Sequence, residues 1–320
     1  MTENALHGEF PTFAVVVPTY KPGKLWRSWL EAFSQQTVLP VKTLIIDSNS
    51  SDGTVELARE YGLDVHVIPT DDFDHGGTRQ SAVEMIPDVE VVVYLTQDAI
   101  LATPRSIEKL VSVFSDPNIG AAYGRQLPSL DANAIAAHAR LFNYPEQSRL
   151  KSCKDISELG IKTAFISNSF AAYRSIALRQ VGGFPSGTLF AEDQIVGSRL
   201  VLNGWVLAYV AEARVLHSHN YTLQEEFKRY FDIGVFHKRE SWLIEAFGRA
   251  EGEGKRFLVS EMKYLAANNS FYIPVACLRT VLKLLAYRLG AFEKNLPLGI
   301  KQRISLHRKF WLRKLPQIGR

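Results

Sequence analysis

A chain of 320 residues that is 46% apolar and 22% charged has the composition of a globular protein, with length for roughly one to three domains around a large core. Twenty-one Gly, 14 Pro and two Cys exclude a collagen-like repeat, low-complexity disorder and a disulfide scaffold. The net charge of +4 is unevenly held: residues 255–320 carry fourteen Lys/Arg against two acids, net +12, while residues 1–254 carry 23 against 31, net −8.

The first ten residues have acids and no apolar run, so no signal peptide is expected. Residues 13–17 form a β-branched apolar run that ends at Pro18-Thr19-Tyr20. A helix is expected over 25–35, a strand over 41–47, a helix over 54–61, a short strand over 64–68, a helix over 78–86 and a strongly apolar strand over 89–96. This alternation predicts βαβ units: an α/β fold with a mainly parallel sheet covered on both faces. Further on, strands are expected over 120–125, 165–173, 205–210 and 213–216, and helices over 133–142 and Glu192–Leu202. From Leu223 the pattern is helical to the end. Gly248–Lys255 offers the best boundary, dividing the chain into 1–247 and a basic helical region, 248–320. Residues 271–292 are apolar but interrupted by Arg279, Lys283 and Arg288, which is too charged to cross a bilayer unaided. Cys153 and Cys277 fit no metal spacing and read as reduced packing thiols of a cytosolic chain.

In parallel sheets ligands sit outside the carboxyl ends of strands. Those ends carry Thr19-Tyr20, Asp47-Ser48-Asn49 and Thr96-Gln97-Asp98. Asp47 can accept a hydrogen bond from a base or ribose, or merely cap the following turn with Asp52. Asp74-His75-Gly76-Gly77 opens a helix bearing Arg79: glycines let backbone approach a diphosphate, the helix terminus favours anions, and Arg79 can clamp phosphate. Asp98 can hold a divalent cation but is a poor site alone. His217 and His219 alternate after another strand and can add an imidazole ligand, which suits Mn²⁺ better than Mg²⁺. Glu192-Asp193 either complements a helix dipole or provides a general base for an acceptor hydroxyl.

Pro18-Thr19-Tyr20, Asp47 with Ser51-Asp52-Gly53-Thr54, the acidic strand end at Asp98, Gly182-Gly183-Phe184 and Glu192-Asp193 occur in this order. As an ordered set they resemble the inverting family 2 glycosyltransferases with a GT-A fold, over about residues 12–240. The segments from Phe73 to Arg79, Thr96 to Ala99 and His217 to Tyr221 resemble the bacterial rhamnosyltransferase branch, which uses dTDP-L-rhamnose to build O-antigen or other surface polysaccharide. The resemblance implies nucleotide contacts at Thr19, Tyr20, Asp47 and Asn49, and donor contacts at His75, Gly76, Gly77, Arg79, Gln97 and Asp98. It also implies Mg²⁺ or Mn²⁺ at the last position of an Asp-x-Asp motif. Here Thr96 replaces the first Asp, which shifts weight onto His217 or His219. Asp193, with Glu192 beside it, takes the base position and is expected to act as an ordinary ionised carboxylate with no large pKa shift.

The expected reaction moves L-rhamnose to a sugar hydroxyl of a polyprenyl-diphosphate-linked acceptor. The alternatives are the same fold with another donor, such as a UDP-hexose, and a non-catalytic nucleotide-sugar binding protein. The basic tail has no nucleic-acid-binding motif. Val275, Leu278, Val281, Leu282, Leu285 and Leu289 lie at helical spacing among its cations. They suit the anionic cytoplasmic face of the inner membrane, or a helical bundle packed on the body or on a second subunit of a homo-oligomer.

Overall fold

The computed structural model describes residues 10–86 and 88–312. The amino-terminal stretch read for a signal peptide, and Arg313, Lys314 and Arg320 of the basic tail, lie outside the described residues. Nine strands form one sheet: β1 Phe13–Thr19, β2 Lys42–Asp47, β3 Asp64–Val67, β4 Val91–Leu95, β5 Ile100–Leu101, β6 Ile119–Leu127, β7 Arg149–Lys151, β8 Phe170–Arg174 and β9 Val206–Leu216. Their order is β3-β2-β1-β4-β8-β6-β9-β5, with β7 on β9. From β3 to β4 every pairing is parallel. Antiparallel pairing enters where β8 joins β4, and β6 and β9 are again parallel.

β1 shows why these residues make buried strands. Phe13, Val15 and Val17 enter one core with Trp26, Trp29 and Leu30, while Ala14 and Val16 enter the other with Tyr94, Tyr173 and Val196. A sheet covered on both faces needs apolar side chains at every position, hence a continuous rather than alternating run.

Two expected elements differ. The strands expected over 205–210 and 213–216 are one strand, β9, whose register shifts opposite Gly124 and Arg125. That bulge absorbs the polar Glu212 without breaking the ladder. The strand expected from 165 begins only at Phe170: residues 165–169 are a loop after the tight turn Gly160–Ala164. Ser167 and Asn168 use their side chains there as bonding partners instead of lying in a ladder. Both cysteines are exposed, so neither is a packing residue.

The carboxy-terminal helices lie against the body. Segment 248–255 packs on the Gly160–Ala164 turn: Ile161 N–H donates to Gly248 O at 3.2 Å, and a Cβ on Gly160 would stand 2.5 Å from Arg249 O. Helix Ile273–Ala291 crosses helix Leu223–Arg239 at two glycines. A Cβ on Gly234 or Gly290 would come within 2.1 Å of the carbonyl of Tyr287 or Phe231 respectively. The segment Ser270–Ala291 is long and apolar enough by length and composition to cross a membrane. Two of its three charges nevertheless face the body: Arg279 and Lys283 pair with Glu226 at 3.0 and 2.8 Å, while Arg288 is exposed. The expected stripe is therefore divided. Leu282 and Leu289 are half-buried, while Val275, Leu278, Val281 and Leu285, with Leu284, face outward. Beyond this helix, Phe310 and Trp311 are buried with Leu189, Phe231 and Val235, which carries His307 to the ligand end of the sheet.

Candidate active site

A cavity of about 540 Å³ opens at the carboxyl ends of β4, β6 and β9. It gathers His75, Arg79, Asp98, Glu192, Asp193, His217 and His219, residues spread over 145 positions of sequence. Asp98 stands just past β4, and the two histidines follow β9. His217 Nε2 lies 3.4 Å and His219 Nε2 3.8 Å from Asp98 Oδ2. One ligand atom from each of the three lies within 4.8 Å of the others.

The hydrogen-bond pattern fits these residues to a cation. Gln126 Oε1 accepts from Arg140 Nη1, which fixes it as the oxygen, and the same atom is 3.1 Å from His217 Nδ1. His217 therefore carries its proton on Nδ1 and turns Nε2 toward the Asp98 carboxylate. A proton or a metal ion must stand between that nitrogen and the carboxylate. Burial alone would raise the Asp98 carboxyl, but the hydrogen bond and charge of His217, helped by Thr96 and His219, hold it well below its ordinary value. Burial, then the neighbouring His217, pushes His219 down to about 4 and keeps it neutral. A carboxylate with two imidazoles forms a donor set for Mn²⁺ more than for Mg²⁺.

Across the cavity, helix Glu192–Leu202 begins after Ala191, a non-glycine residue held in the left-handed region at φ 58°. Strain of this kind persists where surroundings over-determine the backbone, and here it sets both acids at the helix start. Asp193 accepts from Asn168 N at 3.0 Å and from Gln194 N at 2.8 Å. Burial, then the charge of Glu192, pushes its carboxyl up to about 7. This corrects the expectation of an ordinary ionised carboxylate. Glu192 goes the other way. Burial would raise it, but Arg79 at 3.0 Å, then His75 and Asn168, outweigh burial and keep it ionised.

Arg79 is buried at the cavity wall: its Nη1 donates to His75 O at 2.8 Å and pairs with Glu192 at 3.0 Å, while its Nε is buried without a partner. Gly76 and Gly77 are both packed closely against protein atoms. A Cβ on Gly76 would stand 1.8 Å from Pro185 O, so the glycine permits close packing of helix His75–Glu84 on the 184–188 loop. The helix terminus is satisfied by Asp74, which accepts from Gly77 N at 2.7 Å. Asp47 is fully buried, and its oxygens accept from Thr19 Oγ1, Ser50 N and Ser50 Oγ at 2.7–2.8 Å. It and Thr19 lock the turn after β2. Tyr20 keeps its ring exposed while Gln97 brackets its backbone, accepting from N at 2.7 Å and donating to O at 3.1 Å. Asn49 is exposed at φ 60° beside this turn. These five residues form a second cluster at the neighbouring strand ends and do not line the cavity.

Several cavity residues escape the sequence reading. Asn168 bridges Asp193 and Glu192 and accepts from Tyr173 Oη at 2.8 Å; its place two residues before β8 is the signal that was available. Arg140 and Arg229 line the cavity from two helices. His307 reaches it from the tail, parallel to Phe190 at 5.8 Å and edge-on to His75 at 5.3 Å. Nothing local in the sequence marks His307.

The model of the family described as "Glycosyltransferase like family 2" matches residues 11–231. The O-antigen chain rhamnosyltransferase RfbN of Salmonella typhimurium is 49% identical over 93% of this chain and 95% of its own length. The O-antigen chain rhamnosyltransferase WbaN of Salmonella anatum is 46% identical over 94% and 96%. Among solved structures, the mannosyltransferase PcManGT from Pyrobaculum calidifontis, in complex with GDP-Man and Mn²⁺, superposes with a TM-score of 0.60. That pair shares 16% identity over 89% of this chain and 87% of the other, a likeness of fold. The family match runs through every strand of the sheet and through Asp98, Asp193, His217 and His219, and the Salmonella relatives align with nearly the whole chain; the protein belongs to glycosyltransferase family 2.

Proposed function

We propose that this chain transfers L-rhamnose, with inversion, from dTDP-L-rhamnose to a hydroxyl of a lipid-linked surface-polysaccharide acceptor of the O-antigen type. The observation that carries the reading is the shared cavity: Asp193, with raised basicity, lies across it from the Asp98–His217–His219 cluster. The names of the Salmonella relatives supply the sugar. Asp193 takes the acceptor proton while the acceptor oxygen bonds to the anomeric carbon. The carbon–oxygen bond to the diphosphate breaks on the opposite side, and its electron pair leaves with dTDP. Asn168 and Gln194 orient the base through backbone N–H groups. Asp98, His217 and His219 would hold a divalent cation, which would supply Lewis-acid neutralisation of the leaving diphosphate. Tyr20 and Asn49 carry the nucleoside end.

The test is transfer by the pure protein from dTDP-rhamnose, UDP-hexoses and GDP-mannose to polyprenyl-diphosphate-linked sugars. dTDP-rhamnose alone is expected to give product, a chelator to abolish it and Mn²⁺ to restore it. Preference for a UDP-hexose overturns the donor assignment, and binding without transfer to any acceptor overturns the enzymatic one.

The outward face of helix Ile273–Ala291 is the surface we assign to the cytoplasmic face of an anionic membrane. Its apolar residues point away from the body, and exposed Arg288 and Lys294 follow them. A Val281→Glu/Leu285→Glu variant should fold normally yet lose cosedimentation with phosphatidylglycerol vesicles. Vesicle binding unchanged, with a dimer converted to monomer, would give this face to a second copy.

A further inference from the structure

With Arg79 committed to Glu192, the cavity still holds two guanidiniums: Arg140, on helix Ala134–Asn143, and Arg229, on helix Leu223–Arg239. Among the described residues, neither has a carboxylate within 4.0 Å. Arg140 gives one N–H to Gln126 Oε1, the atom that orients His217, while its Nε is buried without a partner. Arg229 meets Tyr221, with Nη1 at 3.4 Å from the hydroxyl and the guanidinium 5.6 Å from the ring centre. The Tyr221 ring lies 5.2 Å from that of His219. Each guanidinium is thus one residue removed from a histidine of the Asp98 cluster. Of the cavity's carboxylates, Glu192 is matched by Arg79 and Asp98 by the histidines, while Asp193 is held by backbone N–H groups. Two guanidiniums that line a polar cavity with no protein carboxylate at ion-pair distance are suited to an anion from outside.

We propose that Arg140 and Arg229 form a diphosphate-binding pair beside the Asp98–His217–His219 cluster, taking phosphate oxygens through planar guanidinium forks. The inference rests on the glycosyl-transfer reading above. It places the pair's ligand on the histidine side of the cavity. A diphosphate can reach it from two sources: the leaving nucleoside diphosphate, or the diphosphate that links the acceptor glycan to its lipid.

The experiment measures binding, in Mn²⁺, of dTDP, UDP, GDP and farnesyl diphosphate to the full chain and to Arg229→Gln, Arg140→Lys and Arg140→Gln variants. Arg229 is exposed, so its variant leaves the fold intact and carries the test alone if Arg140→Gln does not fold. Loss of a charged bidentate contact should weaken dTDP by about tenfold or more. The ratio of variant to wild type should be the same for all three bases, because the fork reads phosphate, and the salt dependence of binding should fall. If dTDP binding is unchanged and farnesyl diphosphate weakens instead, the pair serves the acceptor diphosphate. Wild-type affinity of every variant for both kinds of probe overturns the proposal. A wild-type preference for UDP or GDP would overturn the donor reading while leaving the variant ratios, and this inference, intact.

Discussion

Asp193→Asn is expected to lower kcat by about 10³-fold while dTDP affinity changes little, since a positioned base contributes roughly 10²–10⁴. The carboxylate receives two backbone N–H groups, one on each oxygen. Asparagine must turn its NH₂ toward one of them, a local cost of about 1–3 kcal/mol, so retained dTDP binding is the control for folding. The pH profile is the sharper readout. Burial and the Glu192 charge favour the protonated form of Asp193 below about 7. A base works only when deprotonated, so log(kcat/KM) should climb with unit slope up to about pH 7 and level above it. In the asparagine variant the residual rate should lose that limb. Wild-type turnover in Asp193→Asn, or a flat profile from pH 5 to 8 in the wild type, would sink the assignment.

Much of this was legible in the sequence because it is written in local pattern. The first sheet half, β1 to β4, is a βα alternation whose apolar runs and turn residues lie close together in the chain, and the helix Glu192–Leu202 was bounded by its first-turn acids and Asn203-Gly204. The pairing of His217 with His219 beside Asp98 follows from strand ends converging at one edge of the sheet. What the sequence does not express is how charges are divided among partners. Arg79 reads as a phosphate clamp because its helix start looks anion-binding, yet Asp74 and Glu192 arrive there from two different places in the chain. Asp47 reads as a nucleotide hook, but the turn it begins folds back and uses both its oxygens. The two aspartates look alike in sequence; burial beside Glu192 gives Asp193 a basicity that no local signal announces. His307 is the extreme case, since it reaches the cavity only after Phe310 and Trp311 have anchored the tail.

The Arg79–Glu192 pair yields the other large effect, and it separates a structural role from a catalytic one. Both side chains are almost wholly buried and 3.0 Å apart. Removing one partner from such a pair costs about 3–5 kcal/mol, because the remaining charge is left in a poorly solvating site. Arg79→Met should therefore lower the melting temperature by roughly 10 °C, a few degrees per kcal/mol for a chain of this size. Glu192→Gln should do the same with the opposite charge stranded. The double variant Arg79→Met/Glu192→Leu removes both charges and should recover most of the loss. The two single variants should part company in the pH profile. Glu192 raises the Asp193 carboxyl and Arg79 lowers it. Glu192→Gln should consequently move the acidic limb of kcat/KM to lower pH, and Arg79→Met should move it higher. A pair that only holds the helix start against the 184–188 loop would change stability and leave the limb in place. If the limb shifts in opposite directions while the double variant stays folded, the buried pair sets the basicity of Asp193 as well as its position.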